Sequence, residues 1–174
     1  MLPLKNRRIL IIDDTPAIHQ DFQKILAPSS HASASLKDDE SVLFGEKRPA
    51  TSAEQVYEID SALQGQGGLV MVTHAVRVNR PYALVIVDMR MPPGWDGVDT
   101  IKHIIEVCPA VELCICSAYS DYSWHEVVRR LGRTGLRLLR KPFETHEVRA
   151  MVHELTDKWQ RQNGDRAVPK STSR

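Results

Sequence analysis

The chain has 174 residues, enough for one domain with a substantial core. A hydrophobic share of 42% and a charged share of 26% are ordinary for a globular protein and argue against a disordered or fibrous chain. A net charge of +1 gives no global attraction to nucleic acid or anionic membrane, and no apolar run approaches the ~20 residues of a membrane span.

From Met1 to Arg8 the charges precede a short β-like run and no signal-peptide core follows, so a cytoplasmic location is expected. Arg8-Ile9-Leu10-Ile11-Ile12 is the first apolar run and ends in Asp13-Asp14. Its unbroken character fits a strand buried on both faces of a parallel sheet. Thr15 then reads as a helix N-cap, Pro16 as the first helical residue, and Ile18, Phe22, Ile25 and Leu26 as one apolar stripe. Residues 28 to 52 break the pattern with Pro28-Ser29-Ser30 and Lys37-Asp38-Asp39-Glu40, and read as a solvated insertion with one turn around Val42 to Phe44. Because loop length costs stability only slowly, this insertion is expected to be dispensable for the core.

A second β run is placed near Gln55 to Ile59, followed through Gly65, Gly67 and Gly68 by a helix over about 69 to 79. The third run, Tyr82 to Val87, stops at Asp88, and Val98, Ile101 and Ile105 mark the next helix. The fourth run, Val111 to Cys116, ends at Ser117, and Ser123 with Glu126 has the spacing of a capping box. Leu136 to Leu139 is the fifth run, before Lys141-Pro142. Thr145 is expected to cap a last helix carrying Val148, Met151, Val152, Leu155 and Trp159 on one face. The division is thus a domain over 1–160, with the insertion inside it, and a polar tail over 161–174.

Strands alternating with helices predict a doubly wound parallel α/β sheet, whose ligands bind outside the carboxyl ends of the strands. Asp13, Asp14, Asp88, Ser117 and Lys141 stand at those ends and should converge. Crowded carboxylates repel one another, and a hard divalent cation such as Mg²⁺ relieves the repulsion. A carboxylate can then attack an activated phosphorus, with the Ser117 hydroxyl and the Lys141 ammonium meeting phosphoryl oxygens. The cysteines Cys108, Cys114 and Cys116 are odd in number and lack metal-ligand spacing, so they read as small buried hydrophobes.

Ile11-Ile12-Asp13-Asp14, Val87-Asp88-Met89-Arg90-Met91-Pro92 with Gly97, Ser117-Ala118 and Lys141-Pro142-Phe143 together resemble the receiver domain of two-component response regulators. The resemblance covers about residues 7 to 158 and implies the flavodoxin-like (βα)5 order 2-1-3-4-5. It implies phosphotransfer to Asp88 from a histidine kinase or phosphotransfer protein, and a downstream protein partner rather than nucleic acid or membrane. It also implies Mg²⁺ on Asp14 directly, on Asp13 through water, on Asp88 and on the main-chain carbonyl of Arg90, and a cis Lys141–Pro142 bond. Such a domain is a phospho-acceptor, not an enzyme beyond self-catalysed phosphorylation and dephosphorylation.

The chain departs from the family's pattern in its insertion, in a longer loop after Asp88, and in Leu138, where an aromatic residue is usual. Tyr119 could fill part of that space. A competing reading is a pseudo-receiver that binds partners constitutively, and another is a nucleotide or flavin binder, disfavoured by the missing phosphate-cradling loop. Thr15 stands where haloacid-dehalogenase phosphatases need a second aspartate, and His153-Glu154 lacks the companions of a kinase helix. Arg129, Arg130, Arg133, Arg137 and Arg140 predict a basic face for an acidic partner.

Overall fold

The computed structural model describes residues 5–28, 56–118, 124–133 and 135–164. Its strands are β1 (Arg8–Ile12), β2 (Glu58–Ala62), β3 (Leu84–Asp88), β4 (Glu112–Ser117) and β5 (Arg137–Arg140). The helices are α1 (Pro16–Leu26), α2 (Gly65–Arg77), α3 (Gly97–Val107), α4 (Trp124–Leu131) and α5 (Thr145–Asn163). The strands form one parallel sheet in the order β2-β1-β3-β4-β5, as a flavodoxin-like doubly wound fold requires. The sheet buries alternate side chains on opposite faces. Leu10, Ile12, Val85, Val87, Leu113 and Ile115 join the core under α2, α3 and α4. Ile9, Ile11, Leu84, Ile86, Cys114 and Cys116 join the core under α1 and α5. All residues of β3 are buried, and each such aliphatic side chain contributes about 1.5–3 kcal/mol.

Three expectations need correction. The second strand lies at Glu58–Ala62, later than the expected 55 to 59. It is an edge strand whose Glu58 and Ser61 face solvent, so burial imposes no apolar run on it. The second helix begins at Gly65, not near 69, because its glycines are helical packing points. A Cβ on Gly65 would collide with the Thr100 side chain, and one on Gly68 with that of Ile12. In the last helix Thr145 is the first helical residue and Glu144 takes the cap position without a side-chain bond. Thr15 does occupy the cap position of α1, although its side chain does not cap the helix. The helix α5 itself runs past Gln160 to Asn163. Ser123, Tyr119, most of the 28–52 insertion and residues 165–174 lie outside the described residues.

Ion pairs at the amino ends of the strands pin the layers together. Glu112, at the start of β4, has a side chain only 4% exposed and meets Lys158 of α5 at 2.8 Å. Arg8 of β1 bonds Glu58 and Asp60 of β2 and lies over the Tyr82 ring, 4.4 Å from its centroid. Asp157 of α5 receives Arg7 at 2.9 Å and Lys5 at 3.4 Å. Burial alone would raise the Asp157 pKa, but the charges of Arg7, His153 and Lys5 outweigh it and hold the carboxyl below its usual range. A carboxyl depressed in the folded state stabilises above its unfolded pKa, and that gain is lost as pH falls through the folded pKa. Asp157→Asn should therefore lower stability at pH 7 by less than about 1 kcal/mol, given the solvent around Lys5, and urea titrations should converge with wild type only at pH values well below about 4.

Candidate functional site

The sheet register brings the candidate residues to one edge. Ile12 is level with Val87, Asp88 with Cys116, and Ser117 with Arg140, so Asp13, Asp88, Ser117 and Lys141 all leave the sheet at its carboxyl end. Main-chain bonds continue past the strands, with Asp13 N–H donating to the Ala62 carbonyl at 3.1 Å. Lys141 N–H likewise donates to the Ser117 carbonyl at 2.9 Å. The Lys141–Pro142 peptide is cis.

Lys141 is the hub of the site. Its Nζ donates to Asp13 Oδ2 at 2.7 Å and to Asp88 Oδ1 at 2.6 Å. The remaining carboxylate oxygens are held by the main chain: Thr15 N–H donates to Asp13 Oδ1 at 2.9 Å, and Arg90 N–H to Asp88 Oδ2 at 2.8 Å. Burial raises the Asp88 pKa, against the opposing pull of Lys141 and the Arg90 amide. Burial opposes the charge on Lys141, yet its bonds to both aspartates prevail and its pKa is raised. Asp14 is half-buried and accepts from the Thr15 hydroxyl at 3.2 Å. Ser117 is buried, and its Oγ donates to the Ala118 carbonyl at 3.0 Å.

Among the described residues no three carboxylate, histidine or cysteine side chains are gathered as a ready metal cluster. The donor chemistry nonetheless fits a hard divalent cation. One ammonium faces Asp13 and Asp88, and Asp14 adds a further carboxylate, so negative charge is left over for an oxygen-seeking ion.

Gly97 opens α3 where no larger residue fits, since its Cβ would stand 2.5 Å from the Asp88 carbonyl and 2.9 Å from Met89 Cα. His19 escaped the sequence reading. It lies outside the motifs and among polar neighbours, yet it is 6% exposed and its Nε2 is 2.7 Å from the Asp13 carbonyl. By contrast, His153 is half-exposed on α5 beside Asp157, as a surface histidine would be.

The basic face is less positive than the sequence suggests. Arg129 has Glu126 at 3.9 Å, Arg130 has Asp99 at 3.7 Å, and Arg137 pairs with Glu154. Arg133 donates to the Val111 carbonyl at 2.8 Å.

No family model matches the chain. Sporulation initiation phosphotransferase F of Bacillus subtilis (strain 168) is 30% identical over 96 residues, spanning 55% of this chain and 71% of that protein. A structure described as adenylate cyclase from Rhodopirellula baltica is similar with a TM-score of 0.66 at 18% identity, over 96% of this chain and 99% of that one. A CheY-like response regulator receiver domain protein from Methanospirillum hungatei JF-1 gives a TM-score of 0.60 at 18% identity, over 90% of this chain and 98% of that one. At such identities the structural likenesses speak for the fold alone.

Proposed function

The chain belongs to the response-regulator receiver family, and from that premise we propose that it is a phosphorylation switch with Asp88 as acceptor. The observation that carries the reading is the single ammonium of Lys141 held between the carboxylates of Asp13 and Asp88 at the carboxyl ends of the strands. Asp88 is fixed at both oxygens, by Lys141 and by the Arg90 amide, so it is oriented before a phosphoryl donor arrives. Lys141 is placed to neutralise charge on a transferred phosphoryl group, and Ser117 can donate its hydroxyl to another oxygen by leaving the Ala118 carbonyl.

Asp13, Asp14, Asp88 and the main-chain carbonyl of Arg90 would hold Mg²⁺. Bound there, Mg²⁺ would supply charge neutralisation for the carboxylates and the phosphoryl oxygens. The donor is a histidine kinase or phosphotransfer protein, and the output is altered binding to a protein partner. Among the described residues no helix is long and apolar enough to cross a membrane. The partner face around α4 and β5 carries paired arginines, so attraction to an acidic partner would be modest and salt-sensitive.

Acetyl phosphate with Mg²⁺ should add one phosphoryl group to the wild type, read by intact mass, and Asp88→Asn should take up none. Labelling that persists in Asp88→Asn would place the acceptor elsewhere. An unlabelled wild type would favour a constitutive interaction module.

A further inference from the structure

We infer that His19 is a positioning residue for the acidic pair: it holds the peptide between Asp13 and Asp14 through a hydrogen bond from Nε2–H to the Asp13 carbonyl. The inference rests on the reading of Asp13 and Asp14 as Mg²⁺ ligands.

His19 lies in the first turns of α1, where Pro16 starts the helix directly after the acidic pair. The ring is folded back into the interior, not turned outward, and is 6% exposed. At 2.7 Å from a carbonyl oxygen, Nε2 must carry the proton, because a carbonyl can only accept. Neutral imidazole has one N–H, which leaves Nδ1 as a bare acceptor. Among the described residues Nδ1 is buried with no hydrogen-bond partner.

A buried, unsatisfied acceptor is a cost that apolar side chains of similar size avoid. The neighbouring core is apolar, since Phe22 and Leu26 of the same helix pack into it. The chain thus keeps a nitrogen that does nothing for packing, and its one bond ends at the backbone of Asp13. Asp13 turns one carboxylate oxygen to Lys141 and the other to the Thr15 amide. Fixing its carbonyl sets the rotation of the 13–14 peptide and with it the direction in which the Asp14 side chain leaves the chain. Groups that orient a metal ligand in this way typically account for 10–100-fold in metal affinity.

A purely structural histidine and a positioning one differ in what a replacement does. His19→Leu removes both nitrogens, while His19→Gln keeps an N–H at about the reach of Nε2. Thermal unfolding without metal and Mg²⁺ titration by calorimetry should be run on wild type and both variants. His19→Leu should unfold no earlier than wild type yet bind Mg²⁺ about tenfold more weakly, and His19→Gln should recover most of that affinity. The inference falls if His19→Leu binds Mg²⁺ as wild type does. It also falls if the variant loses more than about 5 °C of melting temperature, or if His19→Gln stays as weak as His19→Leu while folded. A wild type that takes up no Mg²⁺ would instead count against the metal ligands themselves, which separates the two failures.

Discussion

Lys141→Met should cost about 3 kcal/mol of stability at pH 7 without Mg²⁺, roughly 6–12 °C in melting temperature for a chain of this size. The side chains of Asp13 and Asp88 are only 2% and 9% exposed, and both face the same ammonium. Without it, two buried carboxylates confront each other and burial is uncompensated. Burial already holds the Asp88 pKa above its usual range while Lys141 pulls it down, so removing Lys141 drives it higher. An acid whose folded pKa lies above its unfolded value costs stability at high pH, and the cost shrinks as pH falls through the folded value and is gone below the unfolded one. The loss should therefore be large at pH 7 and should shrink as pH approaches 4, and Mg²⁺ should restore part of it by mass action. Urea denaturation at both pH values is the measurement. Equal destabilisation at pH 7 and pH 4 would show that lost packing of the lysine stem dominates, not lost charge.

The Glu112–Lys158 pair should respond asymmetrically, and in a direction that bond deletion alone does not predict. Glu112 is the buried member and Lys158 is 35% exposed. Lys158→Met strands a carboxylate in the interior, where it can escape only by taking a proton. That escape limits the loss to about 3–4 kcal/mol at pH 7. Glu112→Gln leaves the lysine free to turn its ammonium to water, and the amide can still accept a bond, so the loss should stay under about 1.5 kcal/mol. Chemical denaturation of both variants reads the difference. Equal losses would mean that α5 moves to admit water to the Glu112 carboxylate.

Legibility in the sequence followed burial. In β1, β3 and β4 the inner residues are covered on both faces, so apolar runs were obligatory and their ends fell at Asp13, Asp88 and Ser117. In β2 only one side of the strand is paired, and polar residues such as Asp60 and Ser61 were free to appear. Gly65 and Gly68 read as a turn because propensity cannot see the Thr100 and Ile12 side chains pressed against them. Convergence of Asp13 and Asp88 on Lys141 followed from where parallel strands end, which is a rule of topology. The buried position of His19 followed from no local pattern, since only the packing of α1 on the sheet distinguishes it from exposed Gln20.

The register that sets Asp88 level with Cys116 also places a thiol on the strand next to that carboxylate. Burial pushes the Cys116 pKa up to about 12, against the pull of Lys141 and with support from Asp13 and Asp88. At neutral pH the group is then held as the thiol, and thiolate is the form that peroxides and alkylating agents attack. Burial, more than the neighbouring charges, thus keeps this sulfur in its unreactive thiol form beside the Asp88 carboxylate.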